Sequence, residues 1–203
     1  MTYDLLISLF LFALISTCTP GPNNIMLLAS GMNYGVVRTI PHMLGIGLGF
    51  PIMVFLVGMG ISKVFEIVPH SYLALKITCT IYFLYLAWRI ATATKPNKEA
   101  IEGNTSQNRP LTFLEAVAFQ WINPKAWTMA LTAISLYTPV NQPVSNVAIV
   151  ALAFVVASIF STNIWATMGE TMRKIIQNEV SRKTFNYLCA LLLLASLYPI
   201  LRG

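Results

Sequence analysis

The chain has 203 residues, of which 56 % are hydrophobic and only 10 % charged. A soluble domain carries about 25 % charged residues, so this composition points to an integral membrane protein. The formal charge of +6 invites a nucleic-acid partner, but the basic residues fall where membrane topology would put them, and none is expected.

Six apolar stretches are long enough to cross a bilayer, which takes about 20 residues as a helix. They run over Leu5–Leu28, Ile40–Ile61, Tyr72–Ala93, Phe113–Tyr137, Val147–Met168 and Phe185–Leu201. None shows the strict alternation of a membrane β-strand, so a barrel is rejected. The expectation is an all-α integral membrane protein with six transmembrane helices.

The first span has Asp4 as its only flanking charge and is longer than a signal-peptide core, so it is read as retained. It contains TPGPNN: Thr19, Pro20, Gly21, Pro22, Asn23 and Asn24. Prolines and glycine here should open the helix and leave carbonyls around Cys18 and Thr19 without partners. Backbone of that kind survives in a membrane only when buried in protein or facing water. The freed carbonyls and the new helix N-terminus are expected to become ligands, with Asn23 and Asn24 adding neutral donors and acceptors. Together these suit a zwitterionic amino acid. The alternative is a plain kink, with the asparagines capping their own backbone.

The second span carries GIGLGFP. Gly45 and Gly49, followed by Gly58 and Gly60, predict close helix packing, and Pro51 a kink. After the third span comes KPNKEAIEGNTSQNRP, residues 95–110, read as a polar cytoplasmic linker. It divides a single transmembrane transporter domain, 1–203, into halves 1–94 and 111–203. Each half holds three spans, so halves sharing a fold must be inverted relative to each other, a recurring transporter plan.

The fourth span contains WINPKAW, residues 121–127. Asn123 and Pro124 echo Asn23 and its prolines, so helices 1 and 4 are both expected to be broken. Lys125 lies about 18 Å along the helix from Phe113, near mid-depth. A charge there is a functional candidate: it could bind a substrate carboxylate, pair with an acid, titrate, or snorkel to the interface. Trp121 and Trp127 flank it, to stack on substrate or simply to pack. Ser161, Thr162 and Asn163 put a polar notch in the fifth span. No acid lies at mid-depth; Glu115 and Glu170 are the remaining candidates for ion coupling, or ordinary interfacial charges. Cys18, Cys79 and Cys189 lie in three different spans, so neither a disulfide nor a metal site is expected.

Basic residues gather on the cytoplasmic side of membrane proteins. With the N-terminus outside, the inner side holds Arg38, Arg89, Lys95, Lys98, Arg109, Arg173, Lys174, Arg182 and Lys183, against Lys63, Lys76 and Arg202 outside. Both termini are therefore expected in the periplasm.

TPGPNN in span one, LAWRIATATKP closing span three and QWINPKAW in span four resemble the lysine-exporter (LysE) superfamily, in its homoserine/threonine-resistance (RhtB) branch. TPGPNNIMLLASG and LAWRIAT are similar to the cysteine/O-acetylserine exporters. The resemblance covers the whole chain. It implies secondary active export of small amino acids or derivatives across the bacterial inner membrane, coupled to an ion gradient, with a proton as the expected ion, no cofactor, and a homodimer as one possible assembly. By matching position it assigns Thr19, Pro20, Gly21, Pro22, Asn23, Asn123, Pro124 and Lys125 to the site. A metal or cation exporter would want buried acids, histidines or thiols, and an intramembrane hydrolase a nucleophile with its base. His42 and His70 both stand near span ends, away from Lys125.

Overall fold

The computed structural model describes residues 1–63, 67–94, 109–138, 144–198 and 202. Among them are eight α-helices and no strand: α1 Tyr3–Cys18, α2 Pro22–Tyr34, α3 Val36–Gly58, α4 Ser71–Ala91, α5 Phe113–Ile122, α6 Pro124–Tyr137, α7 Val144–Ile175 and α8 Glu179–Ala195. A short 3₁₀ turn spans Ile61–Lys63. Residues 95–108 of the expected linker lie outside the described residues.

Val36–Gly58, Leu73–Ala91 and Val144–Ile175 are long and apolar enough to cross a membrane alone. The pair α1 and α2 makes a fourth such span, bent by 55° at the break between them. At 10, 14 and 17 residues, α5, α6 and α8 are each shorter than a full span. The expected fourth span is cut at Asn123, and residues 199–201 of the expected sixth lie outside the described residues.

The surface is inverted relative to a soluble protein. On α8, Asn186 is fully buried while Leu188, Leu191 and Leu192 are more than half exposed. On α7, Ser158, Ser161 and Thr162 are buried while Leu152, Ile159 and Phe160 face out. Apolar side chains outward and polar ones inward suit lipid, where a polar group must find its partner inside the protein. The apolar helices fit a membrane protein.

Local chemistry fixes the helix ends. Pro22 and Pro124 each open a helix at its first position, where the missing N–H is no loss. Gly35, at φ 83°, makes the turn from α2 to α3 in a backbone region that favours glycine. Thr112 and Glu115 form a capping box at the start of α5.

The long α7 packs against α1, α2 and α3. A Cβ added to Gly31 on α2 would strike the Ala166 carbonyl, and one on Gly169 the Leu28 carbonyl, so two glycines hold α2 and α7 in backbone contact. The expected packing glycines do the same elsewhere: Gly45 and Gly49 of α3 lie against Phe113, Ala116 and Val117 of α5. Pro41 and Pro51 both sit inside α3, which runs unbroken through them.

The buried side chains form two clusters. One holds Met26, Phe83, Phe119 and Leu193, and the other Leu9, Phe50, Ala130 and Phe154. Residues 19–24 of the first break belong to neither.

Candidate functional site: a helix break closed by Lys125

Between Cys18 and Pro22 the helix opens for three residues. The last carbonyls of α1 would be orphaned there, yet each has a partner. Thr19 covers two, its N–H donating to Ile15 O at 3.0 Å and its Oγ1 to Ser16 O at 2.8 Å. Thr17 O accepts from Asn24 Nδ2 at 2.7 Å and from Ser161 Oγ at 2.8 Å. Cys18 O accepts from Trp165 Nε1 at 3.2 Å. Thr19 O accepts from Asn24 Nδ2 at 2.7 Å and from Lys125 Nζ at 2.6 Å. Lys125 Nζ also donates to Thr19 Oγ1 at 2.8 Å and to Pro20 O at 3.3 Å.

The expectation of free carbonyls is therefore corrected. Side chains from α2, α6 and α7 already occupy them, because leaving such groups unpaired in a membrane interior costs several kcal/mol each. Lys125 neither pairs with an acid nor reaches away along its own helix. Its ammonium lies on the carbonyl end of α1, where the helix dipole also favours a cation.

Gly21 makes this reach possible. A Cβ there would stand 2.5 Å from Lys125 Cδ and 3.0 Å from its Nζ. The backbone of Gly21 is extended, at φ −176°, so space rather than conformation calls for glycine.

The second break is a single residue. Asn123 caps α6, its Oδ1 accepting from Lys125 N at 3.1 Å. Trp127 Nε1 donates across the break to Trp121 O at 2.8 Å, and the two rings meet edge to face at 6.0 Å. The tryptophans pack on each other, and neither lines the cavity at the site.

Aligned on their opening prolines, Pro22 matches Pro124. Asn123 then corresponds to Gly21, and Lys125 to Asn23, a shift of two from the echo expected between Asn23 and Asn123. Each second-position residue crosses to the other break. Lys125 reaches Thr19, and Asn23 Nδ2 donates to Gln120 Oε1 at 2.8 Å while Gln120 Nε2 returns a bond at 3.2 Å. Gln120 is fully buried and also donates to Ala116 O.

A cavity of about 30 Å³ lies between the breaks, lined by Asn23, Asn24, Asn123, Lys125, Ser158 and Ser161 among others. It has room for a water or two, not for an amino acid. Thr19 and Pro20 are exposed, Pro124 is half-buried, and Pro22 and Asn24 are buried. The structure thus brings the nine expected residues into one place.

The LysE type translocator family model matches residues 14–196. The chain belongs to that family. Membership makes this LysE-type protein a transporter rather than an enzyme. It is 31 % identical over 195 residues to the cysteine/O-acetylserine efflux protein of Escherichia coli strain K12, covering 95 % of each chain. The proteins of that name from Escherichia coli O1:K1 and from O139:H28 strain E24377A are also 31 % identical, over 95 % and 96 % of each chain. No solved structure matches the chain.

The remaining polar candidates separate. Ser161 and Thr162 line the cavity, while Asn163 is exposed and bonds its own helix at Ile159 O. Gln120, Ser158 and Trp165 were not singled out from sequence. A signal existed: Ser158, Ser161, Thr162 and Trp165 recur every three or four residues, which is one helical stripe, and Asn163 falls off it.

Both candidate acids are engaged at helix starts. Glu115 takes Arg109 through two bonds, at 2.7 and 2.8 Å, while accepting from Thr112 N. That bond pushes the Arg109 guanidinium further above its ordinary value. Glu170 accepts from Val36 N at 3.2 Å, capping α3.

Proposed function

We propose that this LysE-type protein is a secondary active exporter of small amino acids or derivatives, of the cysteine/O-acetylserine or homoserine/threonine kind, across the bacterial inner membrane. The observation that carries the site reading is the Lys125 ammonium lying on the carbonyls of Thr19 and Pro20. An amino-acid cargo has an ammonium and a carboxylate on one carbon. Its ammonium can replace that of Lys125 on Thr19 O, and its carboxylate can then take Lys125 as its own partner. The resting protein fills its site with its own cation, and cargo exchanges with it.

Such an exchange loosens the tie between α6 and the break in α1–α2. With the tie gone, the bend between α1 and α2 is free to change, and the cavity can open to one side or the other. Proton movement is the proposed drive.

The same reading takes the chain as one domain of six spans in two inverted halves, 1–94 and 111–203. The matched prolines at the two helix restarts, and the side chains that cross between the breaks, support it. The end of the molecule carrying Arg89, Arg109, Arg173 and Arg182 is proposed to face the cytoplasm, with both termini periplasmic, in line with the distribution of basic residues. A phosphatase fused after Gly203 is then expected to be active.

The test is efflux from proteoliposomes. Labelled cysteine, O-acetylserine, homoserine, threonine, leucine and lysine are loaded in turn, with and without an imposed proton gradient. Gradient-dependent loss of one or two of them is expected. Retention of all six contradicts the proposal.

A further inference from the structure

The described residues line a second cavity, partly open and with several polar side chains in its wall, that the exchange at Lys125 does not use. It lies between α2, α3, α4 and the segment entering α5, with a volume of about 50 Å³. Ser30, Asn33, Tyr34, His42, Arg89 and Arg109 contribute to its lining. His42 is 1 % exposed, and neither of its ring nitrogens has a hydrogen-bond partner among the described residues. Arg89 is 9 % exposed; one terminal nitrogen donates to Arg109 O at 2.8 Å, and its guanidinium lies 5.7 Å from the Tyr85 ring centre.

Among the described residues, charge around this cavity is unbalanced. The ion pairs among the described residues join Arg109 to Glu115 and Lys183 to Glu179, and neither involves Arg89. Arg182 is 5 % exposed, and its Nε and Nη1 have no partner there. It sits one helical turn from Asn186, which bonds Asn33 in the cavity wall through both amides, at 2.8 and 3.2 Å. Among the described residues Glu115 is the nearby carboxylate, and Arg109 and Thr112 already hold its oxygens. Arg89 has no carboxylate partner among the described residues; a buried guanidinium is costly without one, and an anion is what would offset that cost. The guanidinium only donates, and tyrosine and imidazole can each donate as well, so the wall can serve an acceptor. A cationic ligand would meet the Arg89 guanidinium, with Arg109 beside it in the lining.

We propose that this cavity is a carboxylate-binding station on the approach to the helix break. The anion site stands on its own geometry; the identity of the carboxylate as that of exported cargo rests on the export reading above. The station adjoins the break. His42 lines it, and Ile46, one turn further along α3, lines the cavity at Lys125. On α2, Asn23 lines one cavity and Met26 the other. Met26 and Ile46 are buried in the same apolar cluster. The volume admits a carboxylate group with its waters, not a whole amino acid.

The experiment uses the full chain in lipid nanodiscs and trifluoroacetate as probe, a carboxylate without an ammonium, followed by fluorine NMR against empty discs. Saturable binding is expected. Arg89→Gln should weaken it by at least about tenfold, the scale of a lost charged hydrogen bond, with Arg89→Lys in between. His42→Leu, which fills the space without a donor, should weaken it several-fold and decides the matter if Arg89→Gln does not fold. The amino acids of the efflux panel should compete for the probe. Absence of saturable binding, full affinity in folded Arg89→Gln, or displacement by chloride but by no amino acid would each overturn the proposal. If no amino acid is exported while the probe still binds through Arg89, the export reading falls and the anion site stands.

Discussion

The two helix breaks solve one problem in different ways. The break at Asn123 is one residue long and closes on its neighbours: Asn123 caps Lys125 N, and Trp127 bonds Trp121 O. The break at Thr19–Gly21 is three residues long and cannot close on itself. Asn24, Ser161, Trp165 and Lys125, from three other helices, satisfy its carbonyls. A locally closed break is a fixed post that holds a side chain in place. A break closed from elsewhere changes whenever those elements move, or whenever a ligand replaces one of its partners. The first break is therefore the adaptable element, and the second is the mount for the lysine that closes it.

This contrast can be broken or sharpened by substitution. The largest effect is expected for Lys125→Ala, which should lower initial efflux rates by at least about 100-fold with membrane insertion unchanged, since charge-assisted bonds made at the site are lost. Asn24→Ala leaves buried carbonyls short of a donor. It should cost about 2 kcal/mol of stability in detergent unfolding and reduce efflux roughly tenfold or more. Gly21→Ala pushes a methyl group against Lys125 Cδ; the side chain can move aside but loses its hold, and a loss of about tenfold in efflux is expected. Asn23→Ala and Gln120→Ala should each cost less and act non-additively. A double-mutant cycle on stability should give a coupling of about 0.6 kcal/mol, with ~1.7 as an upper bound. Trp127→Phe keeps a ring and removes one donor at the self-closed break, so about threefold or less is expected in efflux. If Trp127→Phe proves as damaging as Asn24→Ala, the distinction between the two breaks is wrong.

Much of this was legible in the chain. Each apolar stretch falls on a helix or a broken pair of helices, because hydropathy is a local property. Among the described residues, though, only α3, α4, α7 and the bent α1–α2 pair are long enough to span, and α2, α7 and α8 end six or seven residues from the expected bounds. TPGPNN announced the first break because proline and glycine act on their own backbone. NPK announced the second for the same reason. What closes the first break was not legible. Thr17 and Ser161 are 144 residues apart, and Lys125 and Thr19 are 106 apart. No local rule says that a mid-span lysine will settle on backbone carbonyls instead of an acid. Matching by residue type pairs Asn23 with Asn123, whereas matching the helix starts through Pro22 and Pro124 pairs Asn23 with Lys125. Asn163 was placed in the site by adjacency to Ser161 and Thr162; helical periodicity, applied strictly, would have turned it outward. His42 was set aside as lying near a span end, yet it is enclosed by Arg89 and Tyr34, contributed by two other helices.

The most direct test of the central claim, that cargo binds at the first break in exchange for Lys125, is substrate protection. In a variant lacking Cys18, Cys79 and Cys189, Met129→Cys places a thiol in the lining of the cavity beside Lys125. The rate of its modification by a small thiol reagent is then measured with increasing amounts of an amino acid that the protein exports. The account predicts saturable protection that disappears when Lys125→Ala is added. Undiminished modification in a variant that still transports that amino acid would mean that cargo crosses the protein somewhere else.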